Sequence, residues 1–215
     1  MLCWMIILIF GLGYAYLFTF ISDKLYFLPL YLMGGFLISL ILFAIFILIV
    51  IWTAPFTKQN NKLKHKIIYP LVKFVHTILK IKIEVIGREN IPNDTFVVYS
   101  NHKSMLDVTI LYQAYHKILS AIAKNDLVNV PFLSRLMKGL GVVPLDRNND
   151  REGARNILEA IKRVKAGNNY LIFPEGGVKS RETEHMVALR AGAYKLATKP
   201  KAVISPVSII VPKLS

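Results

Sequence analysis

The stretch VVYSNHKSMLDVTIL, residues 97–111, places a histidine and an aspartate five positions apart, His102 and Asp107. A neutral imidazole accepts a proton at physiological pH, and a carboxylate on its far nitrogen fixes the tautomer and stabilises the imidazolium. The pair therefore has the chemistry of a general base and its orienting group. The same residues also fit a helix-start box, with Ser104 as N-cap and Asp107 as the third helical residue.

On a regular helix, residues five positions apart point about 140° away from one another. The pair can therefore meet if His102 lies in the loop before the helix and its ring folds back over the first turn. No G-x-S-x-G nucleophile elbow occurs, and the single cysteine, Cys3, lies in an apolar segment. The simplest chemistry is a histidine that activates a hydroxyl group of the substrate.

Two further segments carry groups that suit an anion. YLIFPEGGVKSR, residues 170–181, runs from a strand-like stretch into two glycines, with Lys179 and Arg181 close behind. Consecutive glycines let backbone N–H groups approach and cradle an anion, although a plain glycine turn fits equally well. In GVVPLDR, residues 141–147, Arg147 follows a strand, where a guanidinium can grip a phosphate or simply lie at the surface.

Short apolar runs alternate with amphipathic segments from residue 80 onwards, which indicates an α/β domain. The predicted strands are KIKIEVIG (80–87), TFVVYS (95–100), SAIAK (120–124), GVVPL (141–145), NYLIF (169–173) and AVISPVSIIV (202–211). Because Pro206 interrupts the last strand, we expect that strand at an edge of the sheet or the end of the strand at the proline. Helices are predicted in 151–167, with Gly167 as C-cap, and in 186–199.

The first 57 residues are almost free of charge. Asp23 and Lys24 are their only charged side chains, so the rest of the chain carries the whole excess of the +14 net charge. Each of the two uncharged runs, 1–22 and 25–57, is long enough to cross a bilayer core of about 30 Å. We therefore predict membrane-anchoring helices in 1–57, two of them by this pattern, and one α/β domain in 58–215.

The charge pattern also predicts sidedness and excludes some classes of protein. Lysines follow the second apolar run, so the positive-inside rule predicts a cytoplasmic α/β domain. No stacking pattern of aromatic and basic residues favours nucleic acid, which we do not expect as a partner. The five histidines lack metal-ligand spacing, so no metal site is predicted.

Four blocks of the chain, taken together, resemble the 1-acylglycerol-3-phosphate acyltransferase family of glycerolipid acyltransferases. VIGRENIP…FVVYSNHKSMLD resembles the N-H-x-x-x-x-D block, GVVPLDR the G-x-x-x-x-x-R block, FPEGGVKSR the F-P-E-G-T-R-S block, and ISPVSI the last block around a proline. The likeness runs from about Ile81 to Pro206 in the family's order. It implies an α/β glycerolipid-acyltransferase domain, expected with a mixed sheet, behind N-terminal hydrophobic membrane helices.

The resemblance implies that His102 deprotonates a glycerol hydroxyl, that Asp107 orients it, and that the hydroxyl attacks an acyl thioester. Partners would be the membrane bilayer, a lysophospholipid acceptor and acyl-CoA or acyl carrier protein. The thioester is a co-substrate, and no cofactor is expected. The expected product is phosphatidic acid. By the same resemblance, the substrate-binding residues are Asn101, Arg147, Glu175, Gly176, Lys179 and Arg181.

One departure from the family pattern bears on the acceptor. Where the family has Thr-Arg after Glu-Gly, this chain has Gly177-Val178-Lys179. An ammonium group is a point charge and lacks the bidentate fork of a guanidinium. An acyltransferase acting on another lysolipid is therefore a second hypothesis, and a non-catalytic basic protein of the membrane surface is a third.

Overall fold

A computed structural model describes residues 2–22, 27–145, 150–178 and 189–211 of the chain. Within these ranges, seven α-helices and five β-strands follow one another. The helices are α1 (Leu2–Ser22), α2 (Leu28–Thr53), α3 (Lys62–Ile78), α4 (Asp107–Tyr115), α5 (Pro131–Gly139), α6 (Asp150–Lys165) and α7 (Ala191–Thr198). The strands are β1 (Phe96–Ser100), β2 (Leu119–Lys124), β3 (Val143–Leu145), β4 (Asn169–Ile172) and β5 (Val203–Val207).

The strands form one sheet in the order β3-β2-β4-β1-β5. All pairings among the described strands are parallel, with β1 between β4 and β5. Because helices cover both faces, β1 is buried along its whole length, as a central parallel strand requires. Phe96 and Val98 join a core with α4, while Val97 and Tyr99 join a second core with α6 and α7.

The predicted α/β class is confirmed, but the expected mixed sheet is wrong for the described strands, and so is the strand predicted at 80–87. That segment alternates half-buried and exposed residues, and Ile83 and Val85 pack on the α4 side of the core. Its alternation therefore reflects one buried face. The segment has no hydrogen-bonded strand partner within the described part of the chain, so it adds no antiparallel strand.

The other predicted elements are confirmed within the described residues, with shifted ends. The helix predicted at 186–199 begins at Ala191, and positions 186–188 lie outside the described residues. β5 lies at an edge of the sheet and contains Pro206, as expected. α6 ends before Gly167, which has a left-handed φ of 87°. Ile161 and Val164 of α6 are buried, whereas Leu158 is 58% exposed.

Both uncharged runs at the N-terminus are helical and pack against each other. α1 and α2 approach closely at two glycines, where an added Cβ on Gly35 would lie 2.6 Å from the carbonyl oxygen of Gly11. Among the described residues, one helix, Leu28–Phe56, is long and apolar enough to cross a membrane. The apolar part of α1, Met5–Ile21, is shorter.

Helix α5 is fixed to the end of α2 by close backbone contacts. The 3-10 helix Ala54–Phe56 extends α2, and an added Cβ on Gly139 would lie only 2.4 Å from the Cβ of Ala54. The buried ammonium group of Lys64 donates to the carbonyl oxygen of Gly139 and, at 3.3 Å, to that of Thr57. Burial lowers the pKa of Lys64 below its ordinary value.

Because this junction has no room for a side chain, Gly139→Ala is expected to destabilise the fold by about 1–3 kcal/mol, the usual cost of overpacking. Gly192→Ala is the matched control, since an added Cβ at Gly192 meets no atom of the described residues within 4 Å beyond its own helix and chain neighbours. Thermal unfolding in detergent, followed by circular dichroism, measures both. Equal midpoints for the two variants would contradict the tight junction.

Candidate active site

The site forms where two neighbouring central strands end. β1 and β4 are parallel neighbours, and Tyr99 is in register with Ile172. Their carboxyl ends therefore deliver the segments 101–106 and 173–178 to the same edge of the sheet. Loops at this edge are where α/β domains gather their functional groups.

The carboxylate of Asp107 organises the first of these segments. Asp107 is the first residue of α4 and is 1% exposed. Its Oδ2 accepts hydrogen bonds from His102 Nδ1 at 2.9 Å, Lys103 N at 2.6 Å and Ser104 N at 2.8 Å. The N-terminal end of a helix also favours a negative charge. These interactions compensate the burial of the carboxylate and curl the loop around it.

The capping arrangement differs from the predicted box. Leu106, not Ser104, is the N-cap of α4, and Ser104 Oγ accepts a hydrogen bond from the backbone N–H of Leu106 at 3.1 Å. The tight turn through Ser104 delays the start of the helix until Asp107, which is free to reach back to three donors. Ser104 as N-cap is therefore wrong, whereas the predicted fold of the His102 ring back onto Asp107 is confirmed.

The imidazole of His102 is held in one orientation. Because a carboxylate only accepts hydrogen bonds, Nδ1 carries the proton, which leaves the lone pair on Nε2. The ring stacks on Phe173, with centroids 4.0 Å apart and planes inclined by 11°. The side chain is 17% exposed and lines a cavity. This arrangement presents a proton acceptor, although the catalytic role of the pair stays a prediction.

Glu175, predicted to bind substrate, contacts the main chain of the same histidine. Its side chain is fully buried, and Oε1 accepts a hydrogen bond from His102 N at 3.1 Å. Two buried carboxylates therefore hold His102, one through its ring and one through its backbone. These contacts are those of a positioning residue.

Gly176 makes the turn after Glu175 with a φ of 74° and donates its N–H to the carbonyl oxygen of Phe173 at 3.0 Å. An added Cβ would lie 2.8 Å from Nε of Arg190, so a side chain here would displace that guanidinium. Its predicted contact with substrate stays a prediction.

Asn101 is buried and pairs with the chain that follows β5. Its Nδ2 donates to the carbonyl oxygen of Ile209 at 2.9 Å, and its Oδ1 accepts from Ile209 N at 2.7 Å. The amide thus fastens the segment beyond β5 to the end of β1. Its predicted substrate contact stays untested, as do those of Arg147, Lys179 and Arg181, which lie outside the described residues.

Among the described residues, sequence reasoning missed four cations that line the cavity: Lys124, Arg190, Lys195 and Lys199. Lys124 is the last residue of β2, so it stands at a strand end as Arg147 was predicted to do, and it pairs with Asp126. Arg190 precedes α7, and its backbone N–H donates to the carbonyl oxygen of Pro174 at 3.0 Å. Among the described residues, no carboxylate forms an ion pair with the Arg190 side chain.

Tyr99 of β1 holds the start of α7 beside this site. Its hydroxyl donates to the carbonyl oxygen of Ala193 at 3.1 Å, and its ring stacks on Tyr194 at 5.4 Å. Burial raises the pKa of Tyr99 to about 12, so the hydroxyl stays protonated at neutral pH and remains a donor. Two contacts thereby position Arg190. One is the hydrogen bond from its backbone N–H to Pro174, and the other is the attachment of α7, the helix that it precedes.

A cavity of about 830 Å³ extends from His102 between the sheet and α6. Its size is that of a small-molecule site. Most of its lining is apolar and comes from β2, β3, α4, α6 and the 3-10 helix Asn125–Asn129, including Val108, Ile122, Leu127, Leu145, Ile157, Leu158 and Ile161. The imidazole of His102 thus lies on the wall of a mostly apolar cavity.

Residues 82–210, more than half of the chain, match the family model described as Acyltransferase. The chain belongs to the acyltransferase family. The predicted resemblance is confirmed by relatives named 1-acyl-sn-glycerol-3-phosphate acyltransferase, from Saccharomyces cerevisiae (30% identical over 61% of this chain and 44% of the relative) and Borreliella burgdorferi (32% identical over 60% and 51%). The chain spans about half the length of the curated relatives it matches.

A solved structure supports the same family. The crystal structure of the 1-acyl-sn-glycerophosphate (LPA) acyltransferase from Thermotoga maritima is similar to this chain with a TM-score of 0.57 and 27% identity, over 66% of this chain and 56% of that one. The α/β acyltransferase fold is thus shown.

If Glu175 positions His102 by accepting the backbone N–H of His102, the acceptor oxygen of Glu175 matters more than the negative charge of Glu175. Glu175→Ala leaves the buried N–H of His102 unpaired, which costs about 1–3 kcal/mol, or roughly tenfold to a hundredfold in kcat. Glu175→Gln keeps an oxygen acceptor and should retain most of the turnover in an acyltransferase assay. Equal loss in both variants would contradict a positioning role, and Glu159→Ala on the exposed face of α6 is the control.

Proposed function

We propose that this protein transfers a fatty acyl chain from an acyl thioester to the free hydroxyl of 1-acylglycerol 3-phosphate, forming phosphatidic acid. The observation that carries the proposal is the oriented imidazole of His102 beside an apolar cavity. The names of the matched relatives support the choice of acceptor.

In the proposed reaction, Nε2 of His102 takes the proton of the acceptor hydroxyl as its oxygen attacks the thioester carbonyl. The carboxylate of Asp107 stabilises the imidazolium that forms. The tetrahedral intermediate collapses with cleavage of the C–S bond, and the imidazolium returns the proton to the departing thiolate. The chain then holds the neutral imidazole again, and the products are a free thiol and a two-chain lipid.

The apolar cavity suits an acyl chain. Ile122, Leu145 and Ile157 lie on its wall, and a hydrocarbon chain there is removed from water. Burial of each methylene contributes about 0.8 kcal/mol. Substrate binding of this kind places the thioester carbon next to His102, where the reaction takes place.

The phosphate of the acceptor requires cations near the same histidine. Arg190 is exposed and lies against Gly176, one loop away from His102. A guanidinium binds phosphate through two parallel hydrogen bonds. We assign the phosphate to Arg190 together with the predicted residues Arg147, Lys179 and Arg181.

The acceptor is a membrane lipid, so the site belongs at a bilayer. The apolar helix Leu28–Phe56 supports membrane attachment, and the lysines that follow it support a cytoplasmic side for the α/β domain by the positive-inside rule. The donor is then a cytoplasmic thioester, acyl-CoA or acyl carrier protein.

The test is release of free thiol from each donor by the membrane-embedded protein, with and without lysophosphatidic acid. We expect release that requires the acceptor and falls by about 10²- to 10⁴-fold in His102→Ala, the usual contribution of a general base. His116→Asn is the matched control, because His116 lies at the opposite end of α4 with a left-handed φ of 50°, which asparagine accepts.

Absence of release with both donors would contradict the proposed function. Equal rates with a phosphate-free monoacylglycerol would instead keep acyl transfer and overturn the assignment of the acceptor. Full activity of His102→Ala would overturn the mechanism alone.

A further inference from the structure

Helix α5 presents apolar side chains that the proposed reaction does not use. Phe132 is 59% exposed and Val130, its N-cap residue, is 48% exposed. Met105, at the neighbouring cavity, is 71% exposed. Large apolar groups that are grouped at a surface mark a site of interaction with another apolar phase.

Arg135 attaches α5 to the end of α2. Its guanidinium lies 3.7 Å from the ring centroid of Trp52 and 5.6 Å from that of Phe56. Its Nε also donates to the carbonyl oxygen of Trp52 at 3.2 Å. Together with the packing of Gly139 on Ala54, these contacts prevent α5 from moving independently of α2.

The aromatic residues at this junction indicate the depth of α5. Trp52 and Phe56 are 61% and 78% exposed at the end of the long apolar helix. Exposed aromatic rings at the ends of such helices lie at the level of the lipid headgroups. Because α5 is fixed to Trp52 and Ala54, its outer side lies at the same level.

The charge around α5 suits anionic headgroups. Lys138 lies on α5, and Lys58, Lys62 and Lys66 follow the end of α2. Lysine or arginine close to an anionic bilayer contributes about 1 kcal/mol per residue. The combination of apolar and basic side chains is that of a segment in the membrane interface.

The same surface borders the cavity. The 3-10 helix Asn125–Asn129 joins β2 to α5, and its Leu127 lines the cavity together with Met105. Val130 and Phe132 therefore lie only three and five residues beyond Leu127, which borders the space beside His102.

We propose that α5 is a second membrane-contacting surface, in which Phe132 and Val130 enter the headgroup region of an anionic bilayer and deliver the lipid acceptor to the cavity. The proposal rests on the membrane attachment in the proposed function. Its partner is the lipid bilayer.

The test is a fluorescent label placed at single cysteines. Cys3 is the only cysteine, so Cys3→Ala provides the background. An environment-sensitive label is attached to Phe132→Cys, to Leu42→Cys in α2, and to Ile204→Cys on β5 at the opposite edge of the sheet, which is 48% exposed. The protein is reconstituted in phosphatidylcholine–phosphatidylglycerol vesicles that contain lipids with a nitroxide quencher.

We expect headgroup nitroxides to quench the label at 132, nitroxides deep in the acyl chains to quench the label at 42, and neither to quench the label at 204. A label at 132 that behaves like the one at 204, while position 42 is quenched, would overturn the proposal and leave membrane attachment intact. No quenching at 42 would overturn both, whereas acceptor-dependent thiol release would still test the chemistry separately.

A kinetic comparison tests delivery of the acceptor. Phe132→Ser should raise the KM for a long-chain lysophosphatidic acid in vesicles by roughly tenfold, the effect of losing a partly buried phenyl ring. It should leave kcat/KM unchanged for a short-chain, water-soluble analogue. Ile204→Ser is the matched control, and an equal loss on both acceptors in Phe132→Ser would contradict delivery through α5.

Discussion

The site depends on the hydrogen bonds that the buried carboxylate of Asp107 accepts. A charge that is 1% exposed is costly unless hydrogen bonds surround it, and Asp107 accepts one from an imidazole and two from successive backbone N–H groups. The loop can supply those donors only if it curls tightly before α4. The conformation of the loop and the orientation of His102 therefore follow from one requirement.

The sheet supplies the frame for this loop. β1 and β4 are central and parallel, so their ends bring His102 and Glu175 to one edge, where Glu175 accepts the backbone N–H of His102. Asn101 joins the end of β1 to the segment after β5 through two hydrogen bonds. Contacts to the ring, to the backbone and to the preceding residue thus fix the position of His102. Of its two ring nitrogens, Nε2 takes part in none of these contacts.

Much of this could be predicted from the sequence, because it depends on local patterns. Apolar runs identified β1, β2, β3, β4 and β5, and the residue types of His102 and Asp107 indicated a pair that can meet if His102 lies in the loop before the helix. The prediction of a strand at 80–87 was wrong because the alternation of polar and apolar residues indicates only that one face is buried. It does not indicate whether the segment has a hydrogen-bonded partner strand. The prediction of Ser104 as N-cap was wrong because a capping box and a tight turn have the same sequence pattern.

The role of Glu175 and the position of Arg190 depend on contacts between distant parts of the chain. A carboxylate next to glycines has the same pattern whether it faces substrate or a backbone N–H 73 residues away. Arg190 reaches the site because Tyr99 holds α7 and because Gly176 has no side chain. The attachment of α5 to Trp52 likewise joins residues 83 positions apart.

The central claim is that His102 and Asp107 act as one unit, and a double-mutant cycle tests it most directly. Acyl-transfer rates are measured for His102→Ala, Asp107→Asn and the combined variant, each with its fold checked by circular dichroism. If Asp107 acts only through the imidazole, the combined variant is no slower than His102→Ala alone, because residues that act as a unit are non-additive. A combined loss equal to the product of the two single losses would contradict this account.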